Sequence, residues 1–458
     1  MSIPTRPRFR AFVGAALVLI VLSGADRASA HNTLESSVPS DGASLVAPAG
    51  EWLLDFASDV PLTSASAEVV GSDGVRRSLA APVHGIDTSV VRFTLPDDLV
   101  GSVTARWRLV SSDGHVISGR VGFTITAASA TSAASSVTTP PGDTTVAPPV
   151  DSTLAPSVTG AAEPASPLPE PGRWFVRFGA LLATLALGGL LFAEQSLAPG
   201  ILATARARTA VLGAAAAGAG AAGVQLLVFL GDVNGTSLLG GLGHLGDAFS
   251  LVPGSMMLLR AVIGIVMVRV LLDAARGRDT PFPLLPMFAL FGMHLVTLAW
   301  TGHSRSQALP LVGIPVDVVH TAAAAVWLGG LAVVALLVVP VADPAASWTV
   351  YRRFGVTARI AVPVIVVTGV VQSLRLHGGI GTLFTTGHGR LLLLKIAVVA
   401  AMLKVADINR RRLLRPDPGD PRAAVRRRDL LVRASLTEAV TGGLVVAVTA
   451  ALVAANPG

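Results

Sequence analysis

The residue whose type and position most directly suggest chemistry is His31, which follows a run typical of a signal peptide. Basic residues, an apolar run from Ala11 to Leu22 and the small residues Ala28 and Ala30 precede it in that order. Cleavage at residue 30 would make His31 the first residue of the mature chain, where its α-amine and imidazole could bind one metal ion together. The apolar run is short for a bilayer span, so removal is favoured over the alternative of an uncleaved first helix.

A second pair of metal-binding side chains stands in the segment VSSDGHVISGRVGF, which holds Asp113 and His115 two positions apart. On an extended backbone, residues two apart point to the same side. With His31 they would offer two imidazoles, one amine and one carboxylate, a set that suits tetragonal Cu(II). By spacing alone an alternative stays open, in which Asp113 and Gly114 form an ordinary turn and His115 is an exposed loop residue.

Further candidate ligands lie in the apolar C-terminal half. Asp317 and His320 have an i,i+3 spacing, which places them on one face of a helix. Ionisable side chains within a membrane are costly and usually mark a pathway or a site. The residues that could form a membrane copper pathway are Met256, Met257, Met293, His294, His303, Asp317 and His320. Thioether sulfur favours Cu(I), although methionine in apolar helices more often serves packing, and hydrogen bonds alone can satisfy a buried histidine.

Composition assigns these candidates to different parts of the chain. The sequence is 52% hydrophobic and 14% charged, with a mean hydropathy of +0.65, which is typical of an integral membrane protein. Residues 31–126 alternate short β-type segments with turn signals, which predicts an all-β Greek-key sandwich with Trp52 and Trp107 in its core. Residues 127–172, rich in Ala, Ser, Thr and Pro, predict a disordered linker. The chain has no cysteine, which excludes thiolate metal sites.

Residues 173–458 predict an all-α polytopic membrane domain, with eight apolar segments of spanning length between residues 174 and 455. Basic residues fall in alternate loops, which the positive-inside rule assigns to the cytoplasm. This topology puts residues 31–126 outside the membrane, in agreement with a signal peptide at residues 1–30. The net charge of +7 then comes from basic loops beside the membrane and does not indicate a nucleic-acid-binding surface. The predicted location is the bacterial plasma membrane.

The segments HNTLESSVPSDGASL and WRLVSSDGHVISGRVGFTI resemble the CopC family of periplasmic copper-binding proteins, over residues 31–126. This resemblance implies a cupredoxin-like β-barrel that binds Cu(II) through His31, Asp113 and His115. It also implies that the methionine-rich Cu(I) site of some members is absent, because residues 31–126 contain no methionine.

The segments IPVDVVHTAAAAVWLGGL, GHSR, GRLLLLKIAVVAAMLKVADINRRRLLRP and SLTEAVTGGLVVAVTA resemble the CopD family of copper-associated membrane proteins, over most of residues 173–456. A fusion of the two modules resembles YcnJ-type copper importers. The resemblance implies capture of Cu(II) outside the membrane and passage of copper into the cytoplasm, with extracytoplasmic copper donors as partners.

Two other classes of function stay open. In one, the chain confers copper resistance by sequestration or sensing, and the helical domain only anchors the chelating domain. In the other, the chain is an enzyme, since an N-terminal histidine also occurs in copper monooxygenases and membrane histidines can hold haem. We predict that the chain is not an enzyme and has no catalytic residues.

Overall fold

The computed structural model of the chain describes residues 33–57, 59–110, 116–126, 167–276, 282–302, 309–340, 343–377, 379, 381–413 and 423–454. Within these residues a β-domain precedes a helical domain, as the sequence predicts. The signal peptide expected at residues 1–30 and nearly all of the expected linker lie outside the described residues.

The β-domain consists of two sheets that enclose one hydrophobic core. One sheet has the strand order β1-β3-β7-β6 and the other β2-β9-β8-β4-β5, with β2 parallel to β9. The strands are β1 Leu34–Val38, β2 Ala43–Leu45, β3 Glu51–Phe56, β4 Ser66–Val70, β5 Arg76–Ser78, β6 Val83–His84, β7 Val90–Thr94, β8 Gly101–Val110 and β9 Val116–Ile125. The predicted two-sheet sandwich is therefore confirmed.

Alternation along the strands builds this core. In β8, Val103, Ala105, Trp107 and Leu109 all point inward and are buried, as period-two patterning requires. Trp52 is fully buried in β3 and Trp107 is 7% exposed, which confirms both as core residues. Phe56 of one sheet packs against Trp107 of the other. Their rings meet edge to face, with centroids 5.0 Å apart.

The helical domain is an antiparallel bundle. Its helices are α1 Glu170–Leu197, α2 Ala205–Asn234, α3 Val252–Arg276, α4 Leu284–Trp300, α5 Pro310–Val338, α6 Pro344–Leu376, α7 Thr382–Thr385, α8 Gly387–Leu413 and α9 Ala423–Leu452. The last turn of α1 and two turns of α5 are π-helical. A 3₁₀ segment, Gly240–Phe249, joins α2 to α3.

Six of these helices are long and apolar enough to cross a membrane, so the expected count of eight spans is not confirmed. Among the described residues, α4 is apolar but has only 17 residues. Helix α8 has 27 residues, but basic and acidic side chains recur along it, including Lys395 and Lys404. Both segments are helical where the sequence predicts a span. Helix α4 is not counted among the six because it is short, and α8 is not counted because it is charged.

Helix ends follow local capping chemistry. Helix α1 begins at Glu170, earlier than the expected domain start at residue 173, because Pro171 fits a first turn that needs no N–H donor. The Thr204 side chain caps α2 by accepting from the backbone N–H of Ala207. Asp343 caps α6 in the same way. These caps fix where each helix enters the bundle.

Long-range contacts define two ends of the bundle. Trp174, near the start of α1, donates to the carbonyl of Ala447 near the end of α9 at 3.2 Å. At the opposite end, Arg353 of α6 donates to the carbonyl of Leu197 at 3.3 Å. We call the end that holds the start of α1 the proximal end, since the β-domain lies against it, and the other the distal end. Successive helices run in alternate directions between them.

Helices α1 and α5 approach each other through glycine backbones. A methyl group added to Gly189 would lie 2.2 Å from the carbonyl carbon of Gly329. One added to Gly329 would lie 2.0 Å from the carbonyl oxygen of Leu185. Since side chains cannot occupy such spaces, the close approach of the two helices requires glycine at both positions.

We therefore expect Gly189→Ala to destabilise the helical domain by about 1–3 kcal/mol, because the added methyl group must push two backbones apart. The thermal unfolding midpoint of the detergent-solubilised protein measures this loss. The matched control is Gly179→Ala on the same helix, where an added methyl group meets no heavy atom within 4 Å. Equal midpoints for the two variants would contradict the assigned contact.

Candidate functional site

The predicted outer metal site depends on the hairpin of β8 and β9. These strands pair at ten positions, from Gly101 opposite Ile125 to Val110 opposite Val116. Asp113 and His115 fall in the connection, residues 111–115, and His31 precedes β1, so all three predicted ligands lie outside the described residues. Since Val110 and Val116 are paired, that connection begins and ends at one point, which we call the hairpin tip.

The chain also enters the β-domain at this end. Leu34, the first residue of β1, pairs with Phe56. The Phe56 ring in turn contacts the ring of Trp107, three residues before the end of β8. The start of β1 and the hairpin tip therefore lie at the same end of the sandwich, as a site shared by His31, Asp113 and His115 requires. The ligation itself stays a prediction.

The hairpin tip packs against the helical domain. Val110 is only 3% exposed and belongs to a hydrophobic cluster with Leu226, Phe229 and Leu230 of α2. Val116 and Met257 of α3 pack against the same cluster, which buries apolar surface between the two domains. The strands that flank the predicted ligand loop thus reach the proximal end of the bundle.

A polar contact reinforces this packing at Asp232, near the end of α2. Arg108 of β8 donates through Nη1 to the carbonyl oxygen of Asp232. The carboxylate of the same residue accepts two hydrogen bonds from Arg173 of α1, at 2.6 and 2.7 Å. A two-pronged arginine–carboxylate pair fixes orientation as well as distance. Asp232 therefore joins α1, α2 and the hairpin.

A buried cation lies deeper between α3 and α4. Arg260 is 4% exposed and donates to Gln225 at 3.1 Å, to the hydroxyl of Thr297 at 3.2 Å and to the Thr297 carbonyl at 2.6 Å. Its hydrogen-bond acceptors among the described residues also include the Thr301 hydroxyl, and all are neutral. These dipoles stabilise the buried guanidinium of Arg260, but its positive charge stays close to His294, the next candidate ligand.

That ligand is His294, one turn before Thr297 on α4. Its Nε2 lies 3.0 Å from the hydroxyl of Thr184, which itself donates to the carbonyl of Ala180 at 2.9 Å. The Thr184 hydroxyl proton is thus committed, so His294 donates from Nε2 and keeps its lone pair on Nδ1. The hydrogen bond fixes the tautomer of this buried imidazole.

His294 lines a narrow cleft between α1, α2 and α3, together with the buried side chain of Met267. The other residues that line the cleft are small, except for one leucine. They are Ala183, Thr184, Leu187, Ala214, Ala215, Gly218, Ala219 and Gly264. Met293, which the sequence grouped with His294, is 49% exposed and does not line this cleft. Consecutive helical residues point about 100° apart, so His294 shares this cleft with Met267 and not with its sequence neighbour Met293.

A second set of interior polar groups connects α5 and α6. Asp317 accepts a hydrogen bond from Nε2 of Gln372, and Nδ1 of His320 lies 2.8 Å from the hydroxyl of Thr368. Asp317 and His320 therefore share one face, toward α6, as their spacing predicts. Thr368 donates to the Val364 carbonyl at 2.6 Å, so His320 donates from Nδ1 and keeps its lone pair on Nε2. We call these four contacting side chains the α5–α6 ladder.

The remaining predicted pathway residues have different surroundings. Met256 and Met257 are half-buried near the proximal end of α3, where Met257 lies under the hairpin tip. His303 lies outside the described residues. In the described ranges, no three side chains of His, Asp or Glu come together in a way that could hold a metal ion. The described candidates thus form pairs, not a closed metal cage.

Sequence reasoning missed Met267, Thr368 and Gln372. Met267 lies seven residues after Arg260 and three after Gly264, all on the buried face of α3. Because α3 is apolar on every face, its sequence does not reveal which face is buried. By contrast, Thr368 and Gln372 form a polar i,i+4 pair within an apolar helix, a signal that could have paired them with Asp317 and His320.

Glu438 on α9 is another buried ionisable group that the sequence analysis did not single out. It is 4% exposed and accepts a hydrogen bond from Asn409 of α8 at 3.0 Å. Both residues lie in the distal half of the bundle. The amide satisfies the carboxylate without an ion pair, so this group is held by α8 and not by the cations of the proximal half.

Two family models match the chain, one in each domain. The CopC domain model matches residues 34–126, and the model of CopD, copper resistance protein D, matches residues 348–452. The chain is a fusion of CopC and CopD modules. In this CopC–CopD fusion, the hairpin tip belongs to the CopC domain, and Gln372, Thr368 and Glu438 belong to the CopD match.

The chain is also similar to individual proteins. The chain is 26% identical over 410 residues to copper transport protein CutJ of Bacillus subtilis (strain 168), which covers 83% of the chain and 68% of the relative. The CopC domain is similar to two crystal structures. CopC from Methylosinus trichosporium OB3b is 24% identical, with 22% of the chain and all of that protein covered and a TM-score of 0.21. PcoC from Escherichia coli, a methionine-rich copper resistance protein, is 26% identical. The match covers 21% of this chain and 98% of PcoC, with a TM-score of 0.19.

The contact between the CopC domain and α2 can be tested by disulfide trapping, because the chain has no cysteine of its own. We expect Val110→Cys to form a disulfide with at least one of Leu226→Cys, Phe229→Cys and Leu230→Cys. A protease site placed within residues 127–166 then makes the readout simple. Trapped halves stay together on a non-reducing gel and separate on reduction.

Val46→Cys, paired with the same three positions, is the control. Val46 is 81% exposed and follows β2, whose last residue pairs with Ile125 at the end of the sandwich opposite the tip. It should give no trapped product. Equal trapping from Val46 and Val110 would mean that the two domains have no preferred contact.

Proposed function

We propose that this CopC–CopD fusion captures Cu(II) outside the membrane and moves copper through its helical domain into the cytoplasm. Copper as the cargo is supported by the two family matches and by the similarity to copper transport protein CutJ over 83% of the chain. The observation that carries the transport proposal is the burial of Val110 against α2. A domain that served only for sequestration would not need its ligand-bearing hairpin against the bundle.

In this proposal, His31, Asp113 and His115 hold Cu(II). The α-amine, two imidazoles and one carboxylate match the nitrogen and oxygen ligands that Cu(II) prefers in tetragonal geometry. The support is topological, because the start of β1 and the hairpin tip lie at one end of the sandwich. Copper that leaves this site would be released directly over the proximal end of the bundle.

We further propose that all eight long helices cross the membrane, with the proximal end outside. Helix α4 alternates in direction with its neighbours, and its 17 residues give a length of about 26 Å, close to the apolar thickness of a bilayer. Most of the charges of α8 lie in its distal turns, and only Arg390 and Lys395 stand in its proximal half. The distal end carries most of the basic side chains that the positive-inside rule assigns to the cytoplasm; they include Arg206, Arg208, Arg276, Arg352, Arg353, Arg410 and Arg411.

Electrostatics favours passage between α5 and α6 over passage beside His294. A copper ion next to His294 would approach the guanidinium of Arg260, whose described acceptors are all neutral. The α5–α6 ladder instead offers the carboxylate of Asp317, and Glu438 lies further along on the distal side. Arg375 and Lys395 interact with Asp317 and can balance its charge when no copper is present. A cation in the ladder therefore lies near a carboxylate, whereas a cation beside His294 lies near the guanidinium of Arg260.

Sequestration or sensing without transport is the second candidate. The observation that favours it is the lack, among the described residues, of three ligand side chains that converge within the helical domain. Such a domain could serve as an anchor for the outer site. The two functions differ in whether copper reaches the other side of the membrane.

Radiocopper uptake into vesicles of known orientation separates them. Asp317→Asn and His320→Ala should each lower uptake by about tenfold or more, on the scale of losses seen when groups around a metal are removed. Copper binding by the CopC domain should be unchanged. His244→Ala is the control, because His244 lies on the proximal 3₁₀ segment and contacts Asp247, away from the ladder. Wild-type uptake in both ladder variants would exclude this route and favour the anchoring role of the helical domain.

The outer site gives a separate prediction. The mature protein should bind one Cu(II) through the α-amine and imidazole of His31, so one extra alanine ahead of His31 should weaken binding by about tenfold or more. Protons compete for the same nitrogens, so Cu(II) should be released as the pH falls. Calorimetric titration of both forms at two pH values measures these effects. Equal affinity with and without the extra residue would show that the amine is not a ligand.

A further inference from the structure

The 3₁₀ segment Gly240–Phe249, which joins α2 to α3 at the proximal end, carries exposed apolar side chains. Leu239, Leu242 and Leu245 are spaced three residues apart, and in a 3₁₀ helix such residues lie on one face. Phe249, at the end of the segment, is also exposed. These four side chains are between 41% and 74% exposed, and we call them the apolar surface of the segment. Apolar side chains that are exposed together usually mark a contact with a partner.

The other side of the segment packs tightly against α2 and α3. Gly241 and Ala248 are buried there. A methyl group added to Gly241 would lie 2.8 Å from the carbonyl oxygen of Leu227, so the backbone of the segment touches the backbone of α2. The carbonyl of Ala248 accepts from the hydroxyl of Ser255 on α3 at 3.0 Å. The segment is therefore fixed to both helices, and they leave its apolar surface uncovered.

These contacts place the segment beside the last apolar turns of α2. Helix α2 has 30 residues and is about 45 Å long, whereas the apolar layer of a bilayer is about 30 Å thick. Leu227 lies seven residues before Asn234, the last residue of α2, and thus about 10 Å below its proximal end. The polar side chains of Asp232 and Asn234 follow it. The segment therefore folds back to the level at which α2 changes from apolar to polar.

Exposed apolar side chains continue from the segment along α3. Val252, Leu259, Val262 and Val266 are exposed, and their spacing of seven, three and four residues places them on one face of this helix. Helix α3 is long and apolar enough to cross a membrane, so this face meets lipid. Val252 follows Phe249 by only three residues. The lipid that covers α3 is therefore the partner nearest to the apolar surface of the segment.

The polar side chains of the segment suit the boundary between lipid and water. Its ionisable residues are His244 and Asp247. They contact each other, with Nδ1 of His244 3.2 Å from Oδ2 of Asp247, and both are half-exposed. An element with one apolar side and a few polar groups that reach water is typical of a segment that lies in the plane of the membrane surface.

We propose that Gly240–Phe249 is an interfacial segment that lies in the surface layer of the bilayer, with its apolar surface inserted among the lipid acyl chains. Burial of this surface in lipid supplies the attraction, since it removes four large apolar side chains from water. The acyl chains are the part of the lipid that is bound, so the contact does not depend on a particular headgroup.

The same segment also supports the CopC domain. Ala248, on its buried side, and Leu251, which follows it, belong to the hydrophobic cluster that buries Val110 of the hairpin tip. The segment thus has lipid on one side and the floor of the CopC contact on the other. Insertion of the segment would hold the hairpin tip at the membrane surface.

The test is spin labelling of the full chain in vesicles of phosphatidylcholine and phosphatidylglycerol, because a chain without cysteine can be labelled at one chosen position. Leu242→Cys and Phe249→Cys each carry one nitroxide. Power saturation compares collisions of the label with oxygen, which concentrates among acyl chains, and with a water-soluble nickel complex. Both labels should meet oxygen severalfold more effectively than nickel. Ile265→Cys, exposed on α3, is the control for lipid, and Val46→Cys, exposed on the CopC domain, is the control for water.

Labels on the segment that behave as Val46→Cys does would overturn the proposal, because the apolar surface would then face water. Weak collisions with both reagents would also overturn it, since protein would then cover this surface. In that case, spectral broadening between labels would identify a second copy of the chain, and an unbroadened spectrum another segment of the same chain. The measurement requires no copper, so its outcome is independent of the proposed transport.

Discussion

Asp232 is the residue through which the two domains and the first two helices are joined. Its carboxylate holds Arg173 of α1, and its backbone carbonyl accepts from Arg108 of the CopC hairpin. The apolar contact of Val110 lies beside this polar one. Apolar burial supplies most of the attraction in such an interface, whereas the arginine contacts fix its orientation. The relation of the predicted Cu(II) ligands to the bundle depends on this combination.

Buried charge divides the bundle into two unequal halves. Around α3 and α4, Arg260 is held by neutral hydroxyl, amide and carbonyl oxygens, and His294 is held by Thr184. Around α5, α6 and α8, the carboxylate of Asp317 interacts with Arg375 and Lys395. The first half is suited to holding its groups in place, since Arg260 and His294 are both bound by neutral partners. The second combines opposite charges whose balance a passing cation can change.

The sequence predicts local structure well where one pattern determines it. Strand alternation placed Trp52 and Trp107 in the core, and the i,i+3 spacing of Asp317 and His320 gave their common face. Apolarity alone could not assign Met293 and Met267, because a membrane helix that is apolar all round does not show which face meets its neighbours. Nε2 of His377, after α6, lies 3.1 Å from Nδ1 of His388 in the first turn of α8, and no periodicity extends across the break between these helices.

The outer site illustrates the opposite case. Its residues were predicted from short motifs, and they fall outside the described residues, so the structure fixes only the strands that lead to them. Those strands are informative, because the pairing of Val110 with Val116 and of Leu34 with Phe56 brings both chain segments to one end. Topology thus restricts a site without describing any of its ligands.

The glycine contact between α1 and α5 has a consequence for motion. Two backbones in contact at Gly189 and Gly329 cannot slide or rotate past each other without collision of the flanking side chains. A change of conformation that keeps this contact would therefore carry α1 and α5 together. Arg173 of α1 holds the Asp232 carboxylate, and the carbonyl of Asp232 accepts from Arg108, so the same motion would reach the CopC domain through Asp232. The contacts of α5 with α6 run through polar side chains instead, and side chains can rearrange where two touching backbones cannot.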